Sequence, residues 1–487
     1  MLVNPEDRRK TKIVATIGPA SAPEKRLRQL IEAGVDVCRL NFSHGEHRAH
    51  TAVHDRIRKV EAELGRSVAI LQDLCGPKIR TSKLPGGHVE LRPDQVVELV
   101  AGLEQSDDPS RIGISLEQLA DDAAAGHRIL IDDGLIELRV EEAHPESGVL
   151  RARVIHGGTL KERKGVNLPD TTLNLPSFTE KDRKDLRWGI AHEVDYVALS
   201  FVRHEDDVIP LRAMMSEMAD PPRIIAKIER PEAVARLEQI VDAFDGVMVA
   251  RGDLSVEMPL FEVPEIQKRI IRTAILLDKP VITATQMLDS MQDSPRPTRA
   301  EASDVANAIY DGSDAVMLSG ETATGNFPIE SVATMRRIAV ATDAATCKPG
   351  YERYPSDVDL TTFCDAICGG ALEVAEHLGA KCLVAFTRTG RTALFMSKWQ
   401  PKIPILGVST EVRTLRRMAL YRGVIPILVK ETDRSEALVA EADAEIVRLG
   451  VAKEGDIAVY VGGGNLTALG NINSLKVRRV GDASGVD

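Results

Sequence analysis

Short β-branched runs alternate with helical stretches along most of this 487-residue chain, and the alternation is broken once. KIVATIG at 12–18 predicts a strand, followed by a helix opening at Pro23 and closing at Gly34. A second strand is predicted at 35–43 (VDVCRLNFS), a helix running to about Leu64, and a third strand at 67–74 (SVAILQDL). From Gly76 to Ser177 the pattern changes to short alternating segments punctuated by Gly, Pro and Asp-Asp-Gly, which predicts an all-β insert. The first pattern then resumes: a helix at 179–192 and strands at 195–202, 223–229, 245–250, 280–287 and 314–319, with helical stretches between them. Three strands before the insert and five after it fit a (β/α)8 barrel, a TIM barrel, carrying a separate inserted all-β domain in a loop. A doubly wound open sheet is the other topology such alternation allows.

The polar, Pro-containing stretch 345–360 predicts a linker. Beyond it a helix at 361–378 and strands near 381–387, 404–408, 424–429 and 456–461 predict a C-terminal α/β domain. The expected division is therefore barrel 1–75 and 178–345, inserted β domain 76–177, and a C-terminal α/β domain 346–487. At roughly 150 residues per domain, the length accommodates all three.

Composition removes several function classes. Lys and Arg number 62 against 73 Asp and Glu, a net charge of −11, which disfavours a general polyanion binder. Aromatic residues make up only 3%, too few for base-stacking platforms, so no nucleic-acid partner is expected. No apolar run approaches the ~18 residues of a membrane span, and MLVNPEDRRKTK has no apolar stretch to serve as a signal peptide. The six cysteines (38, 75, 347, 364, 368 and 382) form no CxxC pair, and a reduced, cytoplasmic chain without structural zinc is expected. Cys364 and Cys368, four apart on a helix, are expected to pack on one face rather than bind metal.

In such a barrel chemistry gathers at the C-terminal strand ends. Those ends read Arg39-Leu-Asn41-Phe-Ser43-His44, Asp73-Leu74-Cys75-Gly-Pro-Lys78-Ile-Arg80, Ser200-Phe-Val-Arg203, Lys227-Ile-Glu229, Ala250-Arg-Gly252-Asp253, Thr283-Ala-Thr285-Gln and Ser319-Gly-Glu-Thr. Lys227 and Glu229, two apart on a strand, share a face. Glu229 with Asp253 from the next strand end supplies two carboxylates, the way Mg²⁺ is usually held. Arg39, Arg80 and Lys227 offer positive charge to a phosphate. Arg251-Gly252-Asp253 is better read as a close backbone approach to a substrate carboxylate than as an adhesion motif. Neither a P-loop nor a protein-kinase motif set occurs.

RLNFSHG at 39–45, KIE at 227–229, ARGDL at 250–254, TATQML at 283–288, PTRAEASDVANA at 297–308 and MLSGET at 317–322, in this order, resemble the pyruvate kinase family. IDDGLIEL at 131–138 and KGVNLP at 164–169 extend the resemblance into the insert. It implies Mg²⁺-dependent phosphoryl transfer from phosphoenolpyruvate to ADP, giving pyruvate and ATP in glycolysis, with Mn²⁺ as a possible substitute. On matching positions it implies that Lys227 neutralises the phosphoryl group in flight, with Arg39 opposite and Arg80 a further contact. It implies that Glu229 and Asp253 ligate the metal, and that Ala250, Gly252, Asp253 and Thr285 seat the substrate carboxylate. Protonation of the enol carbon would pass through Thr285, Ser319 and water. Pro19, Asn41, His44, Arg80 and Lys164 are implied nucleotide contacts, and the insert a lid that excludes water.

Many family members need K⁺, held by the counterparts of Asn41, Ser43, Asp73 and the carbonyl of Leu74, and carry Thr-Lys-Gly-Pro-Glu after the Asp. This chain has Leu74-Cys75-Gly76-Pro77-Lys78 instead, with Lys in place of the Glu, and the Lys78 ammonium is expected to occupy the K⁺ position and supply its charge covalently. K⁺ independence is the resulting expectation, with Cys75 a small apolar filler. In the C-terminal domain Thr387-Arg388-Thr389-Gly390-Arg391-Thr392 lies between a strand and a helix and resembles the family's effector loop, with Gly462–Gly464 able to close it. No basic partner of the kind used for a sugar bisphosphate is evident, so a sugar monophosphate or AMP is the expected effector. The resemblance further implies a homotetramer. The rivals are a Mg²⁺-dependent aldolase or lyase on the same barrel, and a catalytically silent binder of phosphorylated metabolites.

Overall fold

The structure, a computed structural model, describes residues 9–171, 173, 175–348, 363–431, 435–463 and 472–482. Strands β1 (Lys12–Thr16), β2 (Val37–Asn41) and β3 (Ala69–Asp73) begin the barrel. Between β3 and the rest of the barrel lie β4 (His88–Leu91), β5 (Val96–Ala101), β6 (Arg111–Ile114), β7 (Arg128–Ile131), β8 (Ile136–His144), β9 (Val149–His156), β10 (Gly158–Lys161) and β11 (Val166–Asn167). The barrel resumes with β12 (Tyr196–Leu199), β13 (Arg223–Ile228), β14 (Gly246–Ala250), β15 (Val281–Ala284) and β16 (Ala315–Leu318).

The eight barrel strands pair in parallel in the order β1-β16-β15-β14-β13-β12-β3-β2, and the β1–β16 ladder closes the ring. That ladder excludes the open doubly wound sheet. β3 pairs directly with β12 across the insert, Asp73 opposite Ala198, so the β insert leaves the barrel without interrupting it. The insert forms a six-stranded sheet, β11-β7-β8-β9-β5-β6, with β10 and β4 as a separate ribbon, around its own core of Val97, Leu99, Ile129, Leu138 and Leu150.

Gly76 lies where the chain leaves the barrel, at φ 66°, and a Cβ there would meet the Phe201 ring at 2.9 Å. Glycine alone combines that backbone with that closeness. The return is fixed by Thr179, which caps the Glu180–Ala191 helix in a capping box with Asp182, while Asp182 also accepts the Gly76 N–H at 3.1 Å.

The C-terminal domain carries β17 (Cys382–Phe386), β18 (Ile405–Ser409), β19 (Val424–Leu428), β20 (Ile457–Gly462) and β21 (Ser474–Arg479) in the order β19-β18-β17-β20-β21. β21, antiparallel to β20, is a strand that sequence reading did not anticipate. Its SLKVRR carries no fully buried residue and three basic ones, which suits a charged edge strand but hides the strand signal. The helix Phe363–Leu378 agrees with expectation, and most of the predicted linker, from 349 on, lies outside the described residues. Cys368 is buried and Cys364 half-buried, and none of the six cysteines forms a disulfide.

Inward residues of the barrel, among them Val14, Leu71, Tyr196 and Met248, form one apolar core with Leu415, Met418 and Tyr421 of the C-terminal domain. Tyr196, at the start of β12, donates to the Arg417 carbonyl at 2.7 Å. The C-terminal domain thus covers the N-terminal end of the barrel, which leaves the C-terminal strand ends for chemistry. Among the described residues no helix is long and apolar enough to cross a membrane.

Candidate active site

Lys227 is the penultimate residue of β13, its side chain 10% exposed, and Glu229 follows the strand with none. Lys227 Nζ donates to Ser200 Oγ at 2.7 Å and lies 2.8 Å from Glu229 Oε1 and 3.4 Å from Asp73 Oδ1. Burial alone would lower the Lys227 pKa; Asp73, Glu229 and Asp253 outweigh it and raise the value, so the ammonium keeps its proton. Asp73, at the end of β3, also accepts Arg39 Nε at 2.6 Å, and Arg39 Nη1 donates to Thr16 Oγ1 at 2.9 Å. Burial opposes ionisation of Asp73, but Lys227 and Arg39 hold its pKa below the ordinary carboxylate value.

Glu229 Oε2 accepts the Phe201 N–H at 2.8 Å. Burial raises the Glu229 pKa, with Lys227 opposing and the nearby Asp253 charge adding to the rise. Glu229 is buried and Asp253 half-buried, and two neighbouring carboxylates of this kind fit a divalent cation. Among the described residues no cluster of three or more His, Cys, Asp or Glu forms a closed metal cage. Glu229 and Asp253 could hold Mg²⁺, an ion that needs only one or two protein carboxylates.

The neighbouring strand ends are held by groups that sequence reading missed. Thr285 has φ 67° and Gln286 φ 51°; for a β-branched residue the former is a strained backbone. Arg251 holds it there: Nη2 donates to the Thr285 carbonyl at 2.7 Å, and Nη1 pairs with Asp304 Oδ2 at 2.7 Å. Thr285 Oγ1 accepts the Gly252 N–H at 2.7 Å and donates to the Ala284 carbonyl at 2.6 Å. Ala250 ends β14 and precedes the Arg251–Glu257 helix, so Gly252 and Asp253 lie on that helix's first turn. Glu321, buried after β16, accepts the N–H of Ser319 at 2.6 Å and of Leu288 at 3.0 Å. Ser319 Oγ is itself buried without a hydrogen-bond partner among the described residues. Arg251 lies inside ARGDL and Glu321 inside MLSGET, but only contacts across strands show what they do.

The predicted nucleotide residues are more dispersed. Pro19 and His44 are exposed at the rim, and Asn41 Oδ1 accepts the Ser43 N–H at 3.1 Å. Partial burial and the charges of Arg80, Lys78 and Arg39 lower the His44 pKa, so these cations share one field around it. Arg80 Nη1 donates to the Arg163 carbonyl of the lid at 3.0 Å. Lys164 pairs with Asp132, another lid residue, at 2.8 Å.

Lys78 is exposed, with its stem close to Gly165, and forms no ion pair among the described residues. Asp73 is occupied by Arg39 and Lys227 instead, and the Leu74 carbonyl accepts Ser200 Oγ at 2.7 Å. In the C-terminal domain Thr387 Oγ1 accepts the Gly390 N–H at 2.9 Å, and Gly390 at φ 86° starts the Arg391–Lys398 helix. Arg388 and Thr389 are exposed, Thr392 is buried, and the Arg391 guanidinium lies 5.0 Å over the Phe395 ring. Gly464 lies outside the described residues.

A closed eight-stranded barrel whose strand ends gather Arg39, Lys227 and two buried carboxylates beneath a β lid defines a barrel enzyme of anionic substrates. Family models for "Pyruvate kinase, barrel domain" match residues 8–332, and for "Pyruvate kinase, alpha/beta domain" residues 365–478. Similar curated proteins include pyruvate kinase of Geobacillus stearothermophilus, 44% identical over 98% of this chain and 81% of its own length. The Staphylococcus epidermidis and Staphylococcus aureus (strain MRSA252) pyruvate kinases are each 44% identical over 97% of this chain and 81% of theirs. The chain belongs to the pyruvate kinase family and is a phosphotransferase.

Proposed function

We propose that the chain transfers the phosphoryl group of phosphoenolpyruvate to ADP at the barrel mouth, yielding pyruvate and ATP in the last step of glycolysis. The observation that carries this reading is Lys227 held as an ammonium among Asp73, Glu229 and Asp253, beside Arg39. Phosphoryl transfer asks for positioned positive charge more than for covalent help, and Lys227 and Arg39 supply it from two sides. Glu229 and Asp253 would hold Mg²⁺ or Mn²⁺, which when bound would supply Lewis-acid chemistry at the site.

The Gly252 and Asp253 N–H groups, next to Ala250 and Thr285, seat the substrate carboxylate, which takes over the N–H now given to Thr285 Oγ1. The free Ser319 Oγ supports a proton path through Thr285, Ser319 and water to the enol carbon. Pro19, Asn41, His44 and Arg80 line the ADP side. Lid closure brings Lys164 from Asp132 to the ADP phosphates and excludes water.

The finer readings belong to the same proposal. The lid spans 76–177, the barrel 1–75 and 178–345, and the regulatory domain 346–487. The enzyme works without K⁺, a reading supported by Lys78 in place of the usual glutamate and by its charge reaching His44. A sugar monophosphate or AMP bound at Thr387–Thr392 activates it, and the working form is a cytoplasmic homotetramer. A coupled assay for pyruvate from phosphoenolpyruvate, ADP and Mg²⁺ tests the main claim. ADP-dependent pyruvate is the expected result; cleavage without ADP would favour a lyase, and no product would leave a silent binder.

A further inference from the structure

One carboxylate joins the lid to the barrel beside the proposed metal site. Glu257 Oε1 accepts Asn167 Nδ2 at 2.8 Å and Arg230 Nη1 at 2.7 Å. Asn167 belongs to the lid, in β11, whereas Glu257 and Arg230 belong to the barrel, with side chains 1% and 7% exposed. Each barrel partner is covalently close to a proposed metal ligand. Arg230 directly follows Glu229. Glu257 is the last residue of the Arg251–Glu257 helix, four residues after Asp253, so the two carboxylates lie one turn apart on one face. Asn167, Arg230, Asp253 and Glu257, with Lys78, line one cavity between lid and barrel.

We propose that Glu257 is a positioning residue that couples the lid, through Asn167, to the placement of the Glu229–Asp253 pair. The coupling rests on the metal assignment made above; the latch between Asn167 and Glu257 does not. When the lid swings, Asn167 leaves or regains Glu257 Oε1. Arg230 and the end of the helix then adjust, and with them the two carboxylates at the other end of each short connection. Lid position and metal affinity become reciprocal readouts of one contact.

The test compares wild type with Asn167→Ala, Glu257→Gln and the double variant, in full-length protein without substrates. Amide hydrogen exchange of residues 164–169 reads the lid, and Mn²⁺ titration by electron paramagnetic resonance reads the pair. Each single variant should speed exchange about tenfold, the loss of a hydrogen bond to a charged group. Each should also weaken Mn²⁺ about fivefold or more, with the double variant no worse than Glu257→Gln alone. Circular dichroism melts identify any variant that misfolds, and Asn167→Ala then carries the test because it leaves the buried Glu257–Arg230 pair intact. Unchanged exchange would overturn the latch. Faster exchange with unchanged Mn²⁺ affinity, or additive effects, would overturn the coupling. Wild-type Mn²⁺ binding that Glu229→Gln does not weaken would mark failure of the metal assignment itself, and the coupling would fall with it.

Discussion

Lys227 Nζ lies 2.8 Å from Glu229 Oε1, and neither side chain is more than 10% exposed. Cation and carboxylate are thus fixed parts of one site; removing Lys227 takes away the cation paired with Glu229, whereas removing Glu229 leaves Lys227 beside Asp73. Lys227→Met should lower kcat by roughly 10²–10³-fold, the usual cost of losing one preorganised charge donor, while KM for phosphoenolpyruvate changes little. Glu229→Gln should instead raise the Mg²⁺ concentration needed for half-maximal rate. Steady-state kinetics over a Mg²⁺ series distinguish the two. Equal losses of kcat in both variants with no shift in Mg²⁺ dependence would remove Glu229 from the metal site.

K⁺ independence is decided in buffers whose only monovalent cation is tetramethylammonium. Activity there should match activity in K⁺, and Lys78→Glu should introduce a K⁺ requirement. Among the described residues Lys78 makes no ion pair with Asp73, so it does not fill the K⁺ position directly; its charge joins those of Arg80 and Arg39 around His44. A manyfold rise of the wild-type rate on adding K⁺ would refute the idea.

The barrel was legible because buried parallel strands are written as β-branched runs, and eight of them leave few closures available. Lys227, Glu229, Asp73 and Arg39 were legible because strand ends concentrate chemistry. Arg251 holding the Thr285 carbonyl, and Glu321 bridging Ser319 to Leu288, were not. Their roles exist only between strands that are distant in sequence. Lys164 shows the converse limit: its identity suggests a phosphate ligand, yet in the structure its partner is Asp132. β21 escaped because a charged edge strand lacks the apolar alternation that reveals central ones.

The effector loop offers hydroxyls and N–H groups at the start of the Arg391–Lys398 helix, with Gly390 held by Thr387 Oγ1. Thr387→Val, Arg388→Ala and Thr392→Val together should abolish activation by a sugar monophosphate or AMP and leave turnover at saturating substrate nearly intact. Rate against effector concentration measures this. Retained activation in the triple variant would move the site elsewhere.

Asp343 sits where the barrel meets the C-terminal domain. It accepts the N–H groups of Lys10 at 2.7 Å and Thr11 at 2.9 Å, and Arg422 Nη2 at 2.6 Å, with Arg422 only 3% exposed. Asp343→Ala strands a buried guanidinium and should cost about 3–5 kcal/mol of stability. Urea unfolding followed by circular dichroism reads the loss, and a change below ~1 kcal/mol would mean that water repairs the junction.

A histidine seam between the His47–Leu64 and Glu180–Ala191 helices makes stability depend on pH. His50 stacks on Phe42 at 4.1 Å and its Nε2 contacts the His44 carbonyl at 2.9 Å; His54 meets Trp188 and His192 edge-on at 6.2 and 5.4 Å. Burial, the largest effect at both, lowers each pKa below the ordinary 6.5. Folded His50 and His54 therefore bind fewer protons than the unfolded chain does just below that value, so stability rises with pH there. The contribution is fully present above 6.5 and is lost as pH falls through the lower folded values. The urea midpoint should drop between pH 7 and 5, and His54→Phe should flatten part of that slope, because Phe keeps the edge contacts without titrating. An identical slope in wild type and His54→Phe would assign the pH dependence to other groups.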